Sequence, residues 1–424
     1  MRAVIMAGGL GTRMARAFPG LPKPLVPVCG KPVLVRQIET LAPQGVTQIT
    51  LVTGHLAGQI RAALGSGEAY GVSLAYFEEE TPLGTAGALY RLGLTEDFLL
   101  INGDLVFDFD FRSMLAFHHE KKALATLFSH PNSHPQDSTL IETDAENRVL
   151  RFLPKEHRSG WHENLCNAGV QILSAELFRA PPHAGAVDLD REVLRPALET
   201  GRVFAYRSAE YVKDMGTPQR LAAVEADLKA GLVAAKNKKR PQKAVFLDRD
   251  GTLNVKNGFI TSPDQLELIP GAAKAVKRIN EAGFLAILIT NQPVIARGEC
   301  TEETLKEIHN KLETLLGAEG AYLDAIYYCP HHPHAGFPGE IPALKIECGC
   351  RKPSPGLVLR AAEDYNIDLA ASYMAGDSWR DAVCAANAGC TPVFLGETLP
   401  IHVSKRTKLY ADLEGFVYGL MMND

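Results

Sequence analysis

The sequence lacks the features that mark membrane, secreted and nucleic-acid-binding proteins. No apolar run approaches the ~18 residues of a transmembrane helix, and the N-terminal residues form a strand-like segment without a signal-peptide cleavage site. A net charge of -5 shows no basic excess of the kind that nucleic-acid-binding proteins usually have. There is no internal repeat and no low-complexity tract. We therefore expect a cytoplasmic protein whose partners include neither a membrane nor a nucleic acid.

Cysteine is also sparse, with 8 residues in a chain of 424. Cys329, Cys348 and Cys350 cluster near histidines instead of being spread through the chain as a disulfide framework. The apolar fraction of 46% and the charged fraction of 22% are those of a soluble globular protein. A chain of this length exceeds one ordinary domain, so two or three domains are expected.

Strand-like and helix-like segments alternate in both halves of the chain, which indicates α/β domains with mostly parallel sheets. A polar, lysine-rich stretch at 229–243 interrupts the alternation. We therefore predict two doubly wound α/β domains, 1–228 and 244–424, joined by a solvated basic linker at 229–243. The predicted strands are 3–6, 48–53, 73–77, 98–101, 244–247 and 285–290, and the predicted helices are 33–41, 57–64, 272–282 and 302–316.

Two carboxylates, Asp248 and Asp250, follow the apolar strand 244–247 and precede Gly251 and Thr252. Carboxylates one residue apart at the carboxyl end of a strand suit a divalent cation and an attacking nucleophile. An acidic strand-end loop is common in α/β proteins, but the complete pattern D-x-D-G-T favours the chemical interpretation. It places a candidate active site in the middle of the chain.

A glycine-rich loop follows the first predicted strand and contains Gly8, Gly9, Gly11, Thr12 and Arg13. Backbone N–H groups of such a loop can approach phosphates closely. The loop is not a P-loop, since no Gly-Lys-Ser/Thr follows, and it is a poor dinucleotide fingerprint, since a methionine replaces the third glycine. Alone, it could be a plain turn.

This loop, with Lys23 between two prolines, resembles that of the sugar nucleotidyltransferases, and further motifs follow in the family's order. The resemblance implies a Rossmann-like domain with a mixed sheet, which transfers a nucleotidyl group to a sugar 1-phosphate. It assigns triphosphate and nucleotide contacts to Gly8, Gly9, Gly11, Thr12, Gly84 and Thr85, catalytic charges to Arg13 and Lys23, Mg²⁺ to Asp104 and Asp214, and the sugar to Lys155, Asn167 and Gly169. Pro154 departs from the glutamate that often precedes the sugar-phosphate lysine.

The second half resembles the haloacid dehalogenase (HAD) superfamily, because three further motifs follow D-x-D-G-T in order. The resemblance makes Asp248 the nucleophile and Asp250 the acid and base. It assigns phosphoryl binding to Thr290, charge neutralisation to Lys352, and Mg²⁺ to Asp248, Asp250 and Asp377, with Asp381 completing the acidic motif.

Three thiols and one imidazole, from Cys329, His331, Cys348 and Cys350, have the composition of a closed structural Zn²⁺ site. The tight C-x-H and C-x-C spacings allow all four to point inward from one loop. Free buried cysteines with a surface histidine are the structural alternative. His332 and His334 are expected to be bystanders.

A zinc loop inside a HAD domain resembles the heptose 1,7-bisphosphate phosphatases and their relatives, the histidinol phosphatases. The resemblance gives Asn291 and Arg351 contacts with the substrate, while Pro293 departs from the usual serine. Together the two halves predict an enzyme that makes GDP-heptose from heptose phosphates and GTP, using Mg²⁺ in both domains. GTP follows only from resemblance to heptose 1-phosphate guanylyltransferases.

Two alternatives stay open from the sequence. In one, a uridylyltransferase for another sugar 1-phosphate, such as N-acetylmuramate 1-phosphate, is fused to a phosphosugar or histidinol-phosphate phosphatase. In the other, one half is a binding module without activity, which the completeness of both motif sets disfavours. The oligomeric state is also open, with a homodimer among the possibilities.

Overall fold

The computed structural model describes residues 1–9, 11–181 and 183–422. The chain forms two compact units. The first comprises Met1–Ser129, Ile141–Phe152 and Asn167–Asn237, and the second comprises His130–Leu140, Leu153–Cys166 and Lys238–Asp424. Two segments from the N-terminal half of the sequence therefore belong to the second unit.

The N-terminal part of the chain alternates strands with helices as the sequence predicts. Its strands are β1 (Arg2–Met6), β2 (Pro27–Val28), β3 (Lys31–Pro32), β4 (Gln48–Thr53), β5 (Ser73–Glu78), β6 (Phe98–Asn102), β7 (Leu105–Asp108), β8 (Ala125–His130), β9 (Leu140–Thr143), β10 (Val149–Leu153), β11 (Cys166–Leu173), β12 (Val203–Arg207) and β13 (Tyr211–Asp214). Its α-helices are α1 (Thr12–Ala15), α2 (Val33–Leu41), α3 (Ala57–Leu64), α4 (Phe111–Glu120), α5 (Arg195–Ala197), α6 (Pro218–Lys229) and α7 (Leu232–Ala235).

The main sheet of this part is mixed, in the order β10-β9-β11-β6-β1-β4-β5; β8 also pairs with β11, and β12 pairs with β8. Strand β1 runs parallel to β4 and β6, whereas β11 runs antiparallel to β6. Because the central strands are covered on both faces, they are continuous apolar runs, and Ala3, Val4 and Ile5 have no exposed surface. The carboxyl ends of β1, β4, β5 and β6 meet at one edge, where the glycine-rich loop begins.

The C-terminal part forms a second α/β layer structure. Its strands are β14 (Ala244–Leu247), β15 (Leu285–Asn291), β16 (Ala325–Cys329), β17 (Tyr373–Gly376), β18 (Thr391–Leu395) and β19 (Lys408–Tyr410), and its helices are α8 (Ala272–Glu281), α9 (Glu302–Ala318), α10 (Gly356–Tyr365), α11 (Trp379–Ala388) and α12 (Leu413–Met421). All neighbouring strands are parallel, in the order β16-β15-β14-β17-β18-β19. The order reverses at β14, so ligands are expected at its carboxyl end. The predicted fold class is confirmed in both halves.

The two N-terminal segments of the second unit pack on helix α9. The Gln136 side chain donates a hydrogen bond to the Gly317 carbonyl at 2.8 Å, and the Thr314 hydroxyl bonds both the N–H and the carbonyl of His162 at 3.0 and 3.1 Å. Lys311 lies over the ring of Trp161, 5.1 Å from its centroid. The sequence gives no periodic signal for this packing.

The basic stretch 229–243 is only partly the solvated linker that the sequence predicts. It contains the short helix α7, whose Val233 is buried in an apolar cluster of the first unit with Met14 and Leu221. Its Lys236 and Gln242 side chains are also buried. Within the described ranges, no helix has the length and apolar character needed to cross a membrane.

Candidate active sites

The predicted nucleophile, Asp248, lies directly after β14 and is paired with a buried lysine. The Lys352 ammonium contacts Asp248 Oδ1 and Asp381 Oδ1, each at 2.7 Å, and donates to the Ile289 carbonyl at 2.7 Å. Burial alone would lower the pKa of Lys352, but the two carboxylates outweigh it and raise that pKa. The lysine therefore keeps its positive charge beside the predicted nucleophile, an arrangement that suits phosphoryl transfer.

Three carboxylates, those of Asp248, Asp377 and Asp381, offer oxygen atoms that lie within 4.8 Å of one another. Burial, and then the charge of Asp248, raise the pKa of Asp381 to about 7. The buried Oδ1 of Asp377 has no hydrogen-bond partner among the described residues. Hard oxygen ligands, one of them unpartnered, fit a divalent cation such as Mg²⁺.

A glycine makes this approach of the carboxylates possible. Gly251 has φ +91°, and a Cβ at this position would lie 2.3 Å from Asp377 Oδ2. Both the backbone conformation and the contact exclude other residues. The glycine of the D-x-D-G-T motif thus leaves room for Asp377, which follows β17, and also allows the turn.

Asp250 was also predicted as a metal ligand; its carboxylate is not part of the three-carboxylate group and accepts hydrogen bonds from neighbouring side chains instead. Arg249 donates to both of its oxygens, at 3.1 and 3.0 Å. Asn254 and Gln292 each donate one further hydrogen bond at 3.1 Å. Four donors therefore fix the carboxylate orientation, which suits a residue that transfers protons to and from the substrate.

The supporting residues of Asp250 were not predicted from the sequence. Arg249 is fully buried, and its other contacts are Gln292 Oε1 at 3.0 Å and the ring of His309 at 3.4 Å. Burial, with the nearby guanidinium charge, lowers the pKa of His309 well below its usual value. His309 is therefore neutral and adds no charge beside Arg249. The sequence could have drawn attention to Arg249, which lies inside the motif, but not to His309 in the middle of α9.

Thr290 and Asn291 end strand β15 close to Asp248. The Thr290 hydroxyl is buried and accepts a hydrogen bond from Gln292 at 2.9 Å. The Asn291 side chain bonds the backbone N–H and carbonyl of Lys352 at 3.0 and 3.1 Å. These paired bonds tie the end of β15, which carries the predicted phosphoryl-binding Thr290 and the predicted substrate contact Asn291, to the loop that supplies the lysine.

The four predicted zinc ligands converge. The Sγ atom of Cys350 lies 3.3 Å from Cys329 Sγ, 3.2 Å from Cys348 Sγ and 3.3 Å from His331 Nδ1. All four ligand atoms lie within 4.8 Å of one another. Three thiol sulfurs and one imidazole nitrogen at these separations form a closed metal-ligand set of the structural type.

The loop of this cluster borders a cavity of about 380 Å³ beside Lys352. Arg351 and Arg380 line it, together with His332, His334 and Ser354. The Arg351 guanidinium is oriented by a hydrogen bond to the His331 carbonyl at 3.0 Å. The predicted substrate contact therefore faces a space large enough for a phosphorylated sugar.

In the first unit, Arg13 follows the glycine-rich loop in α1, and Lys23 lies beside that loop. Gly11 has φ +57°, and a Cβ there would lie 3.1 Å from Lys23 Cβ, so the loop folds tightly over the lysine. Lys23 forms an ion pair with Asp104. A Cβ on Gly216 would lie 3.4 Å from Lys23 Nζ and 3.6 Å from Arg13 Nη2. The charged ends of both side chains therefore lie close to the backbone of Gly216.

The two predicted magnesium aspartates are held by adjacent strands. Asp214 ends β13, which pairs antiparallel with β7, and the N–H of Met215 donates to the Asp104 carbonyl at 3.0 Å. Burial alone would raise the pKa of Asp214, but Arg220 and the Gly216 N–H outweigh it and lower that pKa. Arg220 donates to both Asp214 oxygens at 2.9 and 2.8 Å. This arginine was not predicted from the sequence.

The remaining predicted transferase residues lie in three places. Gly84 pairs with Val187, and Thr85 accepts a hydrogen bond from the Leu189 N–H at 2.7 Å. In β11, the Asn167 side chain accepts from the Gly169 N–H at 3.2 Å. Lys155 lies in a 3₁₀ turn, Lys155–His157, of the segment that belongs to the second unit. The predicted contacts of Gly8, Gly9 and Thr12 with a nucleotide stay predictions.

Comparisons with known proteins give separate matches for the N-terminal and the C-terminal parts of the chain. A model of the nucleotidyl transferase family matches residues 2–231, and a model of the HAD-hydrolase-like family matches residues 349–398. The D-glycero-beta-D-manno-heptose-1,7-bisphosphate 7-phosphatase of Yersinia pestis is 45% identical over 148 residues, which cover 34% of this chain and 77% of that protein. The protein of the same name from Escherichia coli K12 is 42% identical over 160 residues, 37% of this chain and 81% of that protein. Among solved structures, the chain is similar to HddC from Yersinia pseudotuberculosis complexed with GMP-PN. The sequence identity is 26% and the TM-score is 0.47, and the match covers 54% of this chain and 99% of the HddC chain.

Proposed function

Because the chain belongs to the nucleotidyl transferase family and to the family of heptose-1,7-bisphosphate 7-phosphatases, we propose that it makes a nucleotide-activated heptose in two steps. The second unit removes the C7 phosphate from D-glycero-D-manno-heptose 1,7-bisphosphate. The first unit then transfers a guanylyl group from GTP to the resulting heptose 1-phosphate and releases pyrophosphate. The observation that carries this proposal is the presence of both families in one chain, since the phosphatase product retains the 1-phosphate that a nucleotidyl transferase uses.

In the phosphatase, an oxygen of Asp248 attacks the C7 phosphorus and forms an aspartyl-phosphate. Asp250, held by four donors, gives its proton to the departing C7 oxygen and afterwards takes a proton from the water that attacks the aspartyl-phosphate. Lys352 balances the charge of the nucleophile and phosphate throughout. Asp248, Asp377 and Asp381 would hold Mg²⁺, which supplies further charge neutralisation on the phosphoryl oxygens.

In the transferase, a C1 phosphate oxygen of the sugar attacks the α-phosphorus of GTP. Lys23 and Arg13 neutralise charge that builds on the α-phosphate and on the departing pyrophosphate. Asp104 and Asp214 would hold Mg²⁺, which orients the phosphates. Positioning and charge neutralisation account for the catalysis, because phosphoryl chemistry asks for little covalent work from the protein.

The direct test is to incubate the full chain with heptose 1,7-bisphosphate, Mg²⁺ and each nucleoside triphosphate in turn. We expect inorganic phosphate, pyrophosphate and GDP-heptose, identified by mass spectrometry, with GTP as the preferred nucleotide. Phosphate release without any nucleotide sugar, whatever the triphosphate, would contradict the proposed second step. We propose the cytosol as the compartment, because none of the eight cysteines, all of which lie in the described ranges, forms a disulfide, and reducing compartments keep cysteines in this state.

We predict one tightly bound Zn²⁺ per chain at Cys329, His331, Cys348 and Cys350. Cys348→Ser removes a thiolate ligand, so we expect loss of the metal and a fall in phosphatase activity of at least about tenfold, because the ligand loop positions Arg351 and Lys352. Metal content by mass spectrometry, beside phosphate release, measures both effects. Cys29→Ser makes the same chemical change outside the cluster and should leave both unchanged. Wild-type protein purified without chelators and free of zinc would contradict the prediction.

We predict that Arg351 binds the phosphate that is not removed. Arg351→Ala should lower kcat/KM for the bisphosphate by roughly 10- to 100-fold, as expected for loss of a hydrogen bond to a charged group. Heptose 7-phosphate, which lacks the C1 phosphate, should be hydrolysed at nearly the same rate by both proteins. The control Arg360→Ala removes a solvent-exposed guanidinium paired with Asp364. An equal loss for both substrates would show that Arg351 does not distinguish them.

A further inference from the structure

Helix α9 packs closely against two segments from the nucleotidyl transferase part of the chain, 130–140 and 153–166, which belong to the second unit with the helix. A Cβ on Gly317, near the end of α9, would lie 2.7 Å from Pro135 Cγ, so the packing leaves no space for a larger residue. The Gly317 carbonyl also accepts the hydrogen bond from Gln136. The contact therefore requires glycine at this helical position, although glycine weakens a helix.

Lys155, the predicted ligand of the sugar phosphate, lies in a stretch that is held from both ends. Leu153 stands two residues before it, and Arg158 comes directly after its 3₁₀ turn. The Arg158 guanidinium donates hydrogen bonds to the carbonyls of Leu153 at 3.1 Å and Pro135 at 2.7 Å. The backbone around Lys155 is therefore restrained by contacts that lead through Pro135 to α9.

We propose that α9 is a positioning element for nucleotidyl transfer, because it fixes the segment that presents Lys155 to the sugar 1-phosphate. The inference rests on the proposed nucleotidyl transfer and concerns its sugar substrate. A lysine ammonium is a compact charge on a flexible stem, so its position depends on the backbone that carries it. A segment that is ordered before binding loses less conformational entropy when the phosphate binds. The phosphatase half of the chain therefore contributes to the affinity for heptose 1-phosphate but not to the affinity for GTP.

The first test is Gly317→Ala in the full chain. Alanine favours a helix more than glycine does, so α9 should persist while its new methyl group displaces Pro135. We expect the KM for heptose 1-phosphate to rise roughly tenfold, whereas the KM for GTP and the kcat/KM for phosphate release should stay within about twofold of the wild-type values. Gly58→Ala is the matched control, because its Cβ would enter open space on α3, and it should change none of these values.

A double variant tests whether the effect passes through Lys155. Lys155→Met removes the ammonium and should itself raise the KM for heptose 1-phosphate. Gly317→Ala in the Lys155→Met background should then raise that KM by less than about twofold further, because the two changes act on one interaction. A second, independent rise of roughly tenfold in that background would overturn the inference.

Thr314→Val is a milder change on the same face of the contact, since it keeps the side-chain shape but leaves the His162 N–H without its acceptor. We expect faster amide hydrogen exchange across 153–166 and a rise of about three- to tenfold in the KM for heptose 1-phosphate. Thr304→Val is the control on the same helix, where the hydroxyl contacts Thr301. Faster exchange with an unchanged KM for heptose 1-phosphate, or equal rises in both transferase KM values, would contradict the positioning role.

Calorimetric binding of heptose 1-phosphate separates this inference from the proposed reaction, and thermal unfolding of each variant reports on folding. A wild-type chain that makes no nucleotide sugar contradicts the proposed reaction. Weaker binding of heptose 1-phosphate by Gly317→Ala than by Gly58→Ala would still support the positioning role. Equal affinities, or no binding by any of these proteins, would overturn it.

Discussion

Asp248→Asn is expected to reduce phosphate release from heptose 1,7-bisphosphate by at least about 10⁴-fold, because an amide cannot form the covalent phosphoryl intermediate. The substitution is nearly isosteric. Lys352 keeps its contacts with Asp381 and the Ile289 carbonyl, so no buried charge is left unpaired. Removal of one of three adjacent carboxylates also lessens their mutual repulsion. We therefore expect a folded variant that lacks only the phosphatase reaction.

The same variant should transfer a nucleotidyl group to supplied heptose 1-phosphate at close to the wild-type rate. The control Asp264→Asn changes an exposed carboxylate of the second unit in the same way and should retain both activities. Colorimetric phosphate release and pyrophosphate release measure the two reactions separately. Loss of both activities in a variant with wild-type thermal unfolding would contradict the assignment of one reaction to each family region.

Asp104→Asn should impair the other reaction, nucleotidyl transfer, and leave phosphate release intact. The change removes a proposed Mg²⁺ ligand and the anionic partner of Lys23, so we expect nucleotidyl transfer to fall roughly 10²- to 10³-fold, with phosphatase activity unchanged. Glu96→Gln, an exposed carboxylate just before β6, is the control. Rates at increasing Mg²⁺ concentration distinguish weakened metal binding, which excess metal restores in part, from lost positioning. Wild-type transfer by Asp104→Asn would remove this residue from the proposed catalytic centre.

The elements that carry the motifs were predictable from the sequence, because their apolar periodicity is strong. Helices 33–41 and 57–64 have the predicted bounds, and strand 98–101 is extended by one residue, to Asn102. Strand 244–247 also agrees, since four consecutive apolar residues before Asp248 are typical of a strand buried on both faces. The convergence of the four Cys and His side chains followed from their close spacing along one loop.

Other features depend on contacts that leave no pattern in the sequence. The antiparallel direction of β11 is one, and the placement of 130–140 and 153–166 in the second unit is another. Spacing alone also did not show that Asp250 faces Arg249 and Gln292 while Asp381 joins Asp248 and Asp377. Side-chain direction at a strand end is decided by neighbours that are distant in the sequence.

The most direct test of the two-step account follows the wild-type phosphatase reaction by phosphorus NMR, without any nucleotide. Heptose 1,7-bisphosphate gives separate signals for its C1 and C7 phosphates, so the order of their loss is observed directly. The account predicts that the C7 signal is replaced by inorganic phosphate while the C1 signal persists, because the transferase needs that phosphate as its nucleophile. Loss of the C1 phosphate first would contradict the account, since the product would then carry no anomeric phosphate for nucleotidyl transfer.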